Sequence, residues 1–203
     1  MRENRVVSVL GLTFLAIFLV ELPDKTFLAT LVLATKYRPL FAWIGVSLAF
    51  TVQTVIAVAV GGVVDLLPKE AIHIVAGLMF LAGTVVLLRE GMASKKEEAE
   101  EEDELDGKVK PAKGWHQILA AFLVLFAAEW GDLSQLLTIT FVARYHQPVL
   151  VFIGALGALL VVSGLAVVIG RQLLRWIKVH VLHFLGAAVC LVLGVLTLVQ
   201  AVS

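Results

Sequence analysis

Charge is what this chain lacks over most of its length. Lysine, arginine, aspartate and glutamate supply only 16% of its 203 residues, and half of its 16 acids crowd between Glu97 and Asp106. With 60% hydrophobic residues and a mean hydropathy of +0.98, the rest is far too apolar for a soluble globular domain. Cysteine is nearly missing as well: Cys190 stands alone in an apolar stretch, which excludes a disulfide framework and reads as a small buried hydrophobe. The formal net charge is zero, so no basic surplus points to a nucleic-acid partner. The first apolar run follows Arg2 and Arg5 but has no A-x-A-like site and continues through Lys25 to Tyr37, so it is expected to be retained rather than cleaved as a signal peptide.

What remains is a set of long apolar runs. A membrane-spanning helix needs about 20 such residues, and six runs qualify: 6–36, 40–62, 70–89, 116–143, 149–170 and 177–201. The expected fold is an all-α integral membrane protein of six transmembrane helices. No room is left for a soluble catalytic domain, so an enzyme is not expected.

Two of these runs carry acids where a bilayer tolerates them least. One contains Glu21-Leu22-Pro23-Asp24-Lys25-Thr26, the other Glu129-Trp130-Gly131-Asp132-Leu133-Ser134-Gln135. Glu21 lies 16 residues after Arg5 and 15 before Lys36; Glu129 lies 16 after Lys113 and 15 before Arg144, which places both near the midplane. A carboxylate there costs about 3 kcal/mol on insertion scales and is a functional-site candidate by default.

The match between the runs extends further. Laying the second half of the chain over the first pairs Glu21 with Glu129, Asp24 with Asp132, Thr26 with Ser134, Thr30 with Thr138 and Tyr37 with Tyr145 in a single register; after a one-residue gap, Gly45 pairs with Gly154, Thr54 with Ser163 and Gly61 with Gly170. Residues 1–93 and 115–203 thus read as two three-helix repeats, joined by a charged linker over 94–114 too poor in apolar residues to order itself. Three is odd, so the second repeat enters the membrane from the opposite face, the inverted topology common in secondary transporters. Lys and Arg distribute four to one side (Arg2, Arg5, Lys69, Arg144) and eleven to the other, which carries the linker. The linker is therefore expected in the cytoplasm and both termini outside. Trp43, Trp115 and Trp176 fall near helix ends, as an aromatic belt requires.

On a helix, residues three apart share a face, so each motif offers a two-carboxylate claw. Pro23 and Gly131 should kink or unwind the helix there, exposing carbonyls to a cation at the repeat interface. The donor set is all oxygen: Glu21, Asp24, Glu129 and Asp132, supported by Thr26, Ser134 and Gln135, with Thr30, Gln53, Thr54, Thr138 and Ser163 in reach. Hard oxygen donors suit Mn²⁺, Ca²⁺ or Mg²⁺, and no Cys or His lies in either claw to favour zinc or copper. His73, His116, His146, His180 and His183 fall near helix ends, away from the claws. Four ionised carboxylates cannot persist uncompensated in a low-dielectric cavity; either a divalent cation or protons must neutralise them. That competition is itself an exchange mechanism, with Lys25 tuning the charge of the first claw. Gln53, Thr54 and Ser163 also fit as interhelical hydrogen bonders, and Gly154, Gly157, Ala158 and Gly164 as small-residue packing positions.

At these motifs the chain resembles the Gdt family of membrane cation/proton exchangers, found in bacteria, chloroplasts and the Golgi, whose signature is two copies of E-x-G-D-[KR]-[ST]. The resemblance covers the six-helix layout, the charged central loop and both motifs. It implies Mn²⁺ or Ca²⁺ transport against protons, with export from the cytoplasm across a bacterial plasma membrane, and no resident cofactor. It puts the metal at Glu21, Asp24, Glu129 and Asp132. Pro23 departs from the signature glycine, and Leu133 replaces its second basic residue. Two other readings compete: a LysE-like exporter of a small solute or other metal, and an intramembrane aspartyl protease with Asp24 and Asp132 as its dyad. Position 129 is Glu where the protease pattern has Gly, and the acids come in pairs.

Overall fold

The computed structural model of the chain describes residues 2–22, 25–64, 69–92, 109, 112–176 and 179–202. Pro23, Asp24 and the acidic tract lie outside these residues, as do the side chains of Lys25, His73, His180 and His183. Every described element is a helix: α1 (Arg2–Glu21), α2 (Lys25–Lys36), α3 (Pro39–Val64), α4 (Lys69–Met92), α5 (His116–Ala128), α6 (Leu133–Tyr145), α7 (Pro148–Trp176) and α8 (Val179–Val202).

Among the described residues eight helices stand where six runs were expected, because the first and fourth runs break at their acidic motifs. The axes on either side of the break diverge by 69° between α1 and α2 and by 73° between α5 and α6. Elsewhere the runs stay whole. Pro39 and Pro148 occupy the first positions of α3 and α7, where a missing N–H is harmless and the fixed φ suits a helix. The one-residue gap in the sequence pairing of the two halves falls at this joint: His146 ends α6 in the left-handed region, at φ 52°.

By length and apolarity, α3 and Pro148–Val168 of α7 can each cross a membrane, and so can each bent pair taken as one span. Shorter apolar stretches, Phe80–Arg89 and Cys190–Val199, lie within α4 and α8. Large side chains such as Val63, Val149, Val7 and Val168 are 66 to 80% exposed, which suits lipid and not water.

Helices α3 and α7 form the centre, in contact with each other; α3 also packs on α5 and α6, and α7 on α1 and α2. Glycine permits the closest approaches. A methyl group on Gly45 of α3 would lie 2.4 Å from the Ile118 carbonyl oxygen of α5 and 2.8 Å from Ala121 Cβ. One on Gly154 of α7 would lie 2.8 Å from the Leu10 carbonyl oxygen of α1 and 3.0 Å from Thr13 Cβ. The register that pairs Glu21 with Glu129 also pairs Leu10 with Ile118 and Thr13 with Ala121, so the two contacts occupy corresponding positions. Ala158 is fully buried, and Gly157 and Gly164 sit beside Phe14 and Trp43, in keeping with their expected packing roles. Helices α4 and α8 pack chiefly on each other, crossing at Gly77 and Gly194.

Candidate metal and proton site

At each of the two breaks a glutamate is buried. Glu21, the last residue of α1, is 0% exposed, and Glu129, which caps α5, is 1% exposed. Burial this complete is costly for a carboxylate unless something compensates it.

The break between α5 and α6 is built by its own residues. Gly131 takes φ +79°, a left-handed conformation that favours glycine. The next residue, Asp132, is extended and becomes the N-cap of α6. Three donors converge on its carboxylate: Ser134 Oγ at 2.6 Å, Gln135 N at 3.0 Å and Ser134 N at 3.3 Å. Gln135 then ties the break together, its Nε2 donating to the Glu129 carbonyl at 2.7 Å while its Oε1 accepts from Gly131 N at 3.3 Å. From α3, buried Gln53 donates its Nε2 to the Phe126 carbonyl at 3.2 Å. That carbonyl lies in the last turn of α5, where a terminating helix leaves acceptors without helical donors.

This geometry corrects one expectation. Glu129 and Asp132 do not project side by side from a continuous helix, because the helix stops between them: one residue ends α5 and the other begins α6. Unwinding at Gly131 was expected, and it is what separates them. Gln135, expected to support a cation, has both ends of its amide engaged with the backbone of the break. Gln53 and Ser163 likewise bond to backbone carbonyls, of Phe126 and Leu160, as interhelical and local hydrogen bonders do.

Asp132 is only half-buried, whereas Thr26, Thr30, Ser134 and Thr138 are buried. Thr138 Oγ1 donates to the Ser134 carbonyl at 2.8 Å. The corresponding hydroxyls of the first half differ: Thr26 and Thr30, with Thr13 on α1, are buried with no hydrogen-bond partner among the described residues. Leu133, in the place of the missing basic residue, packs against α4, its Cδ1 2.9 Å from where a methyl on Gly83 would sit. Among the described residues, which exclude Asp24, no three Asp, Glu, His or Cys side chains gather as a metal site. His116 stacks on Trp115 and His146 caps α6, so neither belongs to the break.

The sequence signal for the capping role of Asp132 is the Asp132-x-x-Gln135 spacing, that of a capping box.

The sequence matches the family described as divalent cation/proton antiporter GDT1 over residues 9–95 and 117–203. Among curated proteins it is similar to a GDT1-like protein of Schizosaccharomyces pombe, 28% identical over 96% of this chain and 90% of the relative. It is 32% identical to a GDT1-like protein of Synechocystis, over 61% of this chain and 64% of the relative. The chloroplastic protein PAM71 of Arabidopsis thaliana is 28% identical over 94% of this chain, which spans 56% of that longer protein. No solved structure matches the chain. A helical, lipid-suited protein with buried acids at two helix breaks and this family match is a transporter rather than an enzyme. The chain belongs to the GDT1 family of divalent cation/proton antiporters.

Proposed function

We propose that this protein is a secondary active transporter that exchanges a divalent metal cation, Mn²⁺ first and Ca²⁺ second, for protons, and exports the metal from the cytoplasm. The observation that carries this reading is the pair of fully buried glutamates, Glu21 and Glu129, each at the end of a helix that breaks by about 70°. Six spans arranged as two inverted repeats frame the site. Two features support that arrangement: the corresponding glycine contacts at Gly45 and Gly154, and family-matched stretches that begin at positions 9 and 117. Those two starting points stand in the same register as Glu21 and Glu129.

The site would use Glu21, Asp24, Glu129 and Asp132 as ligands. Asp132 keeps its ring of donors when the cation leaves, whereas Thr26 and Thr30 have hydroxyls still available to an ion or water. A hydrated divalent ion entering from the cytoplasm exchanges water for carboxylate oxygens and displaces the protons that had neutralised them. Protons arriving from the outer face then compete the ion off. Coupling follows because the buried acids are compensated by one or the other.

Purified protein in liposomes tests this by Mn²⁺, Ca²⁺ and Mg²⁺ flux with and without an imposed pH gradient. Gradient-driven Mn²⁺ flux that is lost in Glu21→Gln and Glu129→Gln, with unchanged detergent-solubilised size, is expected. Flux indifferent to the gradient, or both variants at wild-type rate, would remove the exchange mechanism.

A further inference from the structure

Corresponding positions meet at both breaks, but through different chemistry. At the second, Gln53 of α3 and Gln135 of α6 hydrogen-bond to carbonyls at the end of α5, those of Phe126 and Glu129. The pairing of the two halves, with its one-residue gap, assigns Val162 to the place of Gln53, Phe27 to that of Gln135 and Phe18 to that of Phe126. These three also come together: Val162 and Phe27, 0% and 2% exposed, form one apolar cluster with Ala166, against which Phe18 and Leu22 pack. Hydrogen bonds fix direction and distance, whereas apolar contacts let surfaces slide.

We infer that Gln53 is a positioning residue that holds the Glu129 end of the site in ligand geometry, while the Glu21 end, seated on the Val162 cluster, is the half that adjusts. Gln53 lies on α3 and acts through the Phe126 carbonyl, three residues before Glu129. Without that bond the last turn of α5 has one restraint fewer, and Glu129 leans more heavily on its tie to Gln135 across the break. A binding constellation tolerates about 0.5 Å of drift before it weakens. Loss of an outer hydrogen bond to a metal-binding group typically costs about 10-fold or more in affinity. Among the described residues no comparable loss is available at the α1–α2 break, where Val162 has no side-chain amide.

This inference rests on the proposed exchange activity only for its transport readout, so the test has two arms. In liposomes, Gln53→Val, which copies Val162, is expected to raise the KM for Mn²⁺ about 10-fold while the maximal rate stays within about twofold. Gln53→His, which restores an N–H donor, should recover most of that loss. In detergent, amide hydrogen exchange should quicken across Phe126–Gln135 in Gln53→Val and stay unchanged across Phe18–Thr26. Should Gln53→Val fail to fold, Gln53→Asn, one methylene too short to reach, carries the same expectations. An unaltered KM together with unaltered exchange at Phe126–Gln135 overturns the inference. A wild-type protein that transports no divalent ion, yet whose Gln53→Val variant shows the faster local exchange, overturns the exchange activity and leaves the positioning role standing.

Discussion

Alanine substitution at four glycines should give stability changes of opposite sign, ordered by what each new methyl meets. At Gly45 the methyl would sit 2.4 Å from a backbone oxygen, that of Ile118, and 2.8 Å from Ala121 Cβ. An ordinary carbon–oxygen contact is about 3.3 Å or longer, so α3 and α5 must part by nearly an ångström, and backbone cannot swing aside as a side chain can. Overpacking of this kind costs about 1–3 kcal/mol. At Gly154 the nearest atom is also backbone, the Leu10 oxygen, but at 2.8 Å, so the same substitution should cost less. Gly11 of α1 and Gly62 of α3 meet nothing within 4 Å, and there alanine should stabilise by about 0.5–1 kcal/mol through helix propensity. For a chain of this size each kcal/mol moves the unfolding midpoint by about 2–4 °C. Thermal unfolding in one detergent should therefore rank Gly62→Ala and Gly11→Ala above wild type, Gly154→Ala below it and Gly45→Ala lowest. A Gly45→Ala protein as stable as wild type would refute the close α3–α5 approach on which the position of Gln53 depends.

Three further expectations follow from the site. Asp132→Asn should abolish proton-coupled flux with little loss of stability, because asparagine caps a helix as well as aspartate, whereas Asp132→Ala should also lose about 0.5–2 kcal/mol; thermal unfolding beside liposome flux separates charge from capping. A reporter in the linker near Glu100 should be cytoplasmic and one after Ser203 on the other side, given eleven basic residues against four; reporters on one side would remove the inverted-repeat arrangement. Lys25→Leu should make the empty site more negative, so that it keeps its protons to higher pH and the flux optimum rises, while Leu133→Lys should lower it; pH profiles of the two folded variants that move together would show that Lys25 is not coupled to the site.

The sequence revealed the helices and their breaks for different reasons. Long apolar runs are visible because lipid demands them of every residue on a helix, and the breaks because Pro23 and Gly131 are poor helix formers beside buried acids. What could not be read was which residues the break itself would consume. A helix that ends inside a membrane must satisfy its last carbonyls and first amides without water. At the α5–α6 break that demand takes up Asp132 as a cap and the amides of Gln135 and Gln53 as bridges. Each of those residues looked like a cation ligand, because oxygen and amide groups that bind metal also bind backbone. Asp132 can still do both, since a carboxylate has about four acceptor sites. Gln135 has both ends of its amide on the backbone, so the second break offers a cation fewer side chains than its composition suggests. The first break has Phe27 and Val162 where the second has its two glutamines, and so among the described residues it depends on apolar packing where the second depends on hydrogen bonds. Two motifs that share their glutamate and their aspartate are therefore unlike in mechanics, and a transporter whose site must both grip an ion and release it has use for one firm side and one that yields.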